Sequence, residues 1–131
     1  MSDAKATQSL QNLGAALQRL REALHEPETN SLVIDGTIQR FEFVIELFWK
    51  TLKGLLAAEH IQTTTPRETL QQAYQARWLS NEELWLRMLK DRNETSHAYN
   101  EAVARQIYER IKEYYPDLER THNLLLKRFG S

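Results

Sequence analysis

Leucines at positions 10, 13, 17, 20 and 24 recur at spacings of three and four. That spacing lays one apolar stripe along a helix of 3.6 residues per turn. The stripe predicts a first helix from about Lys5 to Leu24, broken by "HEPETN" with Pro27 and Asn30. A second pattern follows from about Ser31 to Glu59, with Ile34, Ile38, Phe41, Ile45, Phe48, Leu52 and Leu55 in its main stripe. Val44, Leu47 and Trp49 widen that stripe. A helix so apolar is expected at the centre, covered by more than one neighbour. Gly36 and Gly54 fall inside it, each costing about 1 kcal/mol of helix propensity relative to alanine.

Start signals punctuate the remainder. In "TTTPRETL", Thr65 suits an N-cap, Pro66 the first helical position and Glu68 the far side of a capping box, so a short helix is expected to about Ala76. "SNEELW" repeats the box with Ser80 and Glu83. Asn100 before Glu101 caps a further helix through Tyr114, Pro116 is expected to interrupt it, and residues 117–128 form a helical tail. Neither period-two alternation nor internal repeats are present. The expectation is a single all-α domain over residues 1–131, an antiparallel up-and-down helical bundle of about five to six helices.

Composition narrows the function classes. With no cysteine, a disulfide framework and thiolate metal ligation are excluded, and a reducing, cytoplasmic setting is expected. The N-terminal stretch lacks the apolar run of a secretory signal, and no segment approaches the roughly 20 apolar residues that span a bilayer. A formal net charge of −1 argues against binding nucleic acid through broad electrostatics, but leaves room for a small local cleft. The four histidines include no i,i+4 pair, and neither a phosphate loop nor a nucleophile elbow occurs, so no cofactor or metal is expected.

The stretch "DRNETSHAYN", residues 91–100, departs from the plain amphipathic pattern. Trp85, Met88 and Leu89 form the apolar stripe of its helix, and Arg92 returns to within about 20° of Trp85 on a wheel of ~100° per residue. A guanidinium on that stripe requires an anion or a solvated cleft. It could pair with Asp91 or Glu94; Glu42 and Glu46, one turn apart on the second helix, could pair with Arg92 or Lys50. On a continuous helix His97 would lie ~140° from Arg92. Asn93, Thr95 and Ser96 compete with helix through local hydrogen bonds, so the helix is expected to end between the two. If 97–99 is extended, the rings of His97 and Tyr99 share a side. "LFWK" (47–50), Trp78 and Trp85 could stack bases, but at helical spacing they read as core, and Tyr114–Tyr115 as the closure of the bundle end.

The string Arg92-Asn93-Glu94-Thr95-Ser96-His97-Ala98-Tyr99 resembles the R-x4-H-x-Y signature of HEPN-domain toxins paired with minimal nucleotidyltransferases, a family also described as nucleotidyltransferase substrate-binding proteins. The resemblance extends over most of the chain, through the long apolar helix with Phe41, Glu46 and Trp49. It implies a metal-independent ribonuclease with Arg92, Asn93 and His97 as catalytic residues. It also implies a homodimer that joins two copies of the motif in one cleft, and RNA as substrate. The partner would be a minimal nucleotidyltransferase antitoxin that attaches AMP to Tyr99. The alternative is a non-catalytic subunit that presents substrate to a nucleotidyltransferase.

Overall fold

The computed structural model describes residues 3–130 and contains, among them, five α-helices and one 3₁₀ turn. Helix α1 spans Asp3–His25, α2 Ser31–Ala58, α3 Pro66–Gln75, α4 Glu82–Glu94 and α5 Glu101–Phe129, with the 3₁₀ turn at Thr95–His97 between the last two. Short connections return each helix along its neighbour, and α2 packs against all four others. The expected all-α bundle is therefore present, with the most apolar helix at its centre. Phe41, Val44, Ile45, Phe48 and Leu52 of α2 are buried in one core with Leu10, Leu13 and Leu17 of α1, Trp85 and Met88 of α4, and Ile107, Tyr108 and Ile111 of α5.

The caps follow the sequence with one shift. Thr65 accepts from the Glu68 amide at 3.1 Å, and the Glu68 carboxylate returns to the Thr64 amide at 2.8 Å. Asn100 accepts from Ala102 and Val103. At α4, however, Asn81 rather than Ser80 is the N-cap, accepting from Leu84 at 3.1 Å. The amide side chain reaches the third residue ahead as readily as a serine would, so the cap slides by one residue.

Pro116 does not interrupt α5. The helix runs through it because the ring stands on the exposed side, where water can satisfy the carbonyl it leaves free. Tyr114, Asp117, Leu118, Thr121 and Leu125 remain buried on the inner side and hold both halves in line. Tyr114 accordingly lies within the bundle, stacked on Phe41 with ring centroids 5.9 Å apart, rather than closing its end. Among the described residues, no helix is long and apolar enough to cross a membrane.

Candidate active site

Helix α4 is fixed before it reaches the motif. Trp85 meets Phe48 edge-on at 4.8 Å between centroids and donates its indole N–H to Asp117 of α5 at 2.7 Å. Less than two turns later Asp91, 4% exposed, receives Arg110 in a two-pronged contact, Nε at 2.7 Å and a terminal nitrogen at 2.9 Å. Tyr114 adds its hydroxyl to the same carboxylate. Burial, then the Asp91 carboxylate, push the Tyr114 hydroxyl well above the usual phenol range. The bond to Asp91 raises the Arg110 guanidinium against its own partial burial. Three donors on one carboxylate therefore lock the last turn of α4 against α5.

Beyond this clasp the chain turns at the surface. The Thr95 amide bonds the Arg92 carbonyl, ending α4 between Arg92 and His97 as "NETS" predicts. The Thr95 hydroxyl sits 2.7 Å from that carbonyl and 2.8 Å from Glu42 Oε2 of α2, so its one proton serves either acceptor. Residues 97–99 are not extended: His97 closes the 3₁₀ turn and Ala98 is helical in its dihedrals. The tight turn still brings the His97 and Tyr99 rings to 6.3 Å, edge to face.

Arg92 does not pair with Asp91 or Glu94. Its terminal nitrogen contacts Glu46 Oε1 of α2 at 3.1 Å, and Lys50 holds Glu46 Oε2 at 3.2 Å. Partial burial raises the Glu46 carboxyl, but Lys50 and then Arg92 outweigh it and hold the group below its ordinary value. The Arg92 side chain is one third exposed, and Glu46 engages only one of its terminal nitrogens, which leaves the guanidinium with donors to spare. Asn93 and His97 are exposed, and Tyr99 is 86% exposed. Among the described residues, no hydrogen bond joins Arg92 to His97. The elbow formed by the end of α4 and the turn after it thus presents two pairs, Arg92 with Glu46 and His97 with Tyr99.

The clasp of Asp91, Arg110 and Tyr114 was not evident from the sequence. Its partners lie 19 and 23 positions from Asp91, and the apolar stripe alone carries no mark of a buried carboxylate. The spacing gave no signal either: Asp91 lies about 120° from Trp85 on the helical wheel, farther from the apolar stripe than Arg92. Trp49 also differs from expectation. Phe48 beside it is core, but Trp49 is only half-buried.

The family described as nucleotidyltransferase substrate binding protein like matches residues 8–127. The chain belongs to this family. The resemblance carried by the motif and the long helix is therefore matched at family level. A curated relative, "Probable ribonuclease HepT" of Haemophilus influenzae, is 31% identical over 87 residues, covering 63% of this chain. The chain spans 60% of that relative's length. A solved crystal structure of a protein from Thermus thermophilus superposes with a TM-score of 0.76 at 31% identity, over 91% of this chain and 99% of the other. The fold of this member of the nucleotidyltransferase substrate-binding-like family is thus shared with an experimentally solved protein, and one relative carries a ribonuclease name.

Proposed function

We propose that the chain is a metal-independent endoribonuclease, the toxin of a toxin–antitoxin pair, neutralised when a minimal nucleotidyltransferase attaches AMP to Tyr99. The observation that carries this reading is the grouping at one surface elbow of a partly exposed guanidinium, an exposed imidazole and a largely exposed tyrosine. Core packing explains none of the three.

RNA brings its own nucleophile. The imidazole of His97 can take the proton of a 2′-hydroxyl as its oxygen attacks the adjacent phosphorus, or give one to the departing 5′-oxygen. The free donors of Arg92 suit the non-bridging oxygens, where charge grows in the transition state. Asn93 stands beside Arg92 as a further donor. The products are a 2′,3′-cyclic phosphate and a 5′-hydroxyl.

A protomer supplies one histidine at the elbow, while the reaction uses an acid and a base. A twofold dimer of this chain places two copies of the elbow in one cleft and provides both. A shared cleft also doubles the local positive charge of a chain whose net charge is −1. Attachment of AMP proceeds by attack of the Tyr99 oxygen on the α-phosphorus of ATP, with loss of pyrophosphate. The product holds a phosphodiester beside His97, where substrate phosphate must sit, and blocks it by charge and bulk.

Cleavage of RNA in EDTA, lost in Arg92→Ala and in His97→Ala, tests the activity. Intact mass after co-expression with a minimal nucleotidyltransferase tests the switch: mass gained in AMP steps and absent from Tyr99→Phe is expected. The family description favours a second reading, a non-catalytic subunit that presents substrate to a nucleotidyltransferase. Under it, no RNA is cleaved and the partner's activity depends on this chain.

A further inference from the structure

A cleft of about 580 Å³ lies between the start of α1 and the second half of α2, and its lining includes none of Arg92, His97 and Tyr99. Its lining includes Lys5, Ser9, Trp49, Lys50, Lys53 and Gly54 and contains no acidic residue. The Lys53 ammonium stands 5.9 Å from the centre of the half-buried Trp49 ring. Lys50 ties the cleft to the motif directly, through Glu46 to Arg92. Glu46, Lys50 and Lys53 fall within about 60° on the helical wheel and within roughly 10 Å along the axis of α2. A continuous strip therefore leads from the partly exposed guanidinium to an aromatic ring in a cleft lined by three lysines.

Gly54 has no structural reason to be a glycine. A Cβ built there meets nothing within 4 Å, it does not adopt a positive φ, and glycine weakens a helix interior. It is an exposed residue of the cleft lining, and a larger side chain there would take up space at the cleft.

We infer that this cleft is a subsite for single-stranded RNA flanking the scissile phosphate, with one base stacked on Trp49 and backbone phosphates held by Lys5, Lys50 and Lys53. The inference rests on the ribonuclease reading and extends it to the substrate's flank. Basic grooves with interleaved aromatic rings hold single strands in this way, tolerant of sequence because every base has a π face. A second copy of this chain is the poorer occupant: across a twofold axis the lysines of both copies would converge, and the carboxylate beside them, Glu46, is already shared between Lys50 and Arg92.

The test uses a His97→Ala background, which keeps the RNA intact, and a fluorescein-labelled oligouridine of about ten nucleotides followed by anisotropy over a range of salt. Lys53→Glu is expected to raise Kd at least about tenfold and to reduce the slope of log K against log salt by about one. Trp49→Leu should raise Kd about fivefold. It should also abolish the quenching of tryptophan fluorescence on RNA binding, because Trp78 and Trp85 are buried. Gly54→Leu should weaken binding at least about fivefold while its Tm equals or exceeds the parent's, a combination that damage to the fold does not give. Lys112→Glu, of matched charge on the exposed side of α5 and outside the cleft lining, should bind as the parent does.

Variants that bind RNA as the His97→Ala parent does, and that cleave it as the native chain does when His97 is restored, overturn the subsite and leave the ribonuclease intact. So does loss of dimers in sedimentation, or of nucleotidyltransferase binding, at unchanged RNA affinity. A native chain that cleaves no RNA, together with a His97→Ala parent that binds none, overturns both readings.

Discussion

Asp91 and Arg92 are neighbours in sequence and opposites in circumstance. Asp91 is buried and receives three donors from α5, whereas Arg92 is partly exposed and gives one nitrogen to a solvated carboxylate on α2. Their places on the helical wheel do not explain the difference; their partners do. The buried acid fixes the helix, and the exposed base is left with donors to spare. Rigidity and reactivity are thus divided between adjacent side chains, so a change in one should move stability and a change in the other activity.

The largest expected effect lies on the exposed side. His97→Ala should lower RNA cleavage by at least about a hundredfold, and Arg92→Ala similarly. Both should unfold in urea within about 1 kcal/mol of the parent, since neither residue is core. Asp91→Ala should show the reverse emphasis. It strands Arg110 and Tyr114 and should cost about 2–4 kcal/mol in urea denaturation, at the lower end because Arg110 is one third exposed. Loss of activity in Asp91→Ala should follow unfolding and return under stabilising conditions.

Tyr114→Phe removes one of the three donors and should cost about 1 kcal/mol, more if the carboxylate is left under-satisfied. It also has a signature in pH. The folded Tyr114 hydroxyl ionises above its unfolded range. Its stabilisation is therefore full below about pH 10 and is lost as pH rises through the folded value. Alkaline titration of urea stability should show that loss in the parent and not in Tyr114→Phe.

The smallest effect belongs to Glu46→Gln. The Arg92–Glu46–Lys50 contacts are solvated and should contribute no more than about 0.5 kcal/mol. Because the Glu46 carboxyl is held below its ordinary value, that contribution is present above about pH 4.5 and fades as pH falls through the folded value. The variant should lack this acid-side loss.

Much of the fold was legible because its causes are local. The leucine stripe, the Thr65 and Asn100 caps and the break at "NETS" all act within a few residues. Pro116 misled because its cost depends on which side of α5 faces water, and that is set by packing. Arg92 was marked by its place on an apolar stripe, and Glu46, 46 residues away, was among the partners the sequence offered; the structure takes it rather than Asp91 or Glu94 and joins Lys50 to the same carboxylate. Asp91 was hidden for the same reason: a buried carboxylate is recognised by its donors, and those sit on α5. Trp49 read as core because it adjoins Phe48, but neighbours on a helix point ~100° apart.

The central claim is that Arg92 and His97 from two protomers serve one cleft. It is tested most directly by diluting the native chain with His97→Ala chains. Unfolded and refolded together, the two form mixed dimers that keep one histidine where the reaction uses an acid and a base. RNA cleavage in EDTA that falls with the square of the native fraction is the expected result. Cleavage that falls in simple proportion to the native fraction, with mixed dimers formed, would contradict the shared cleft.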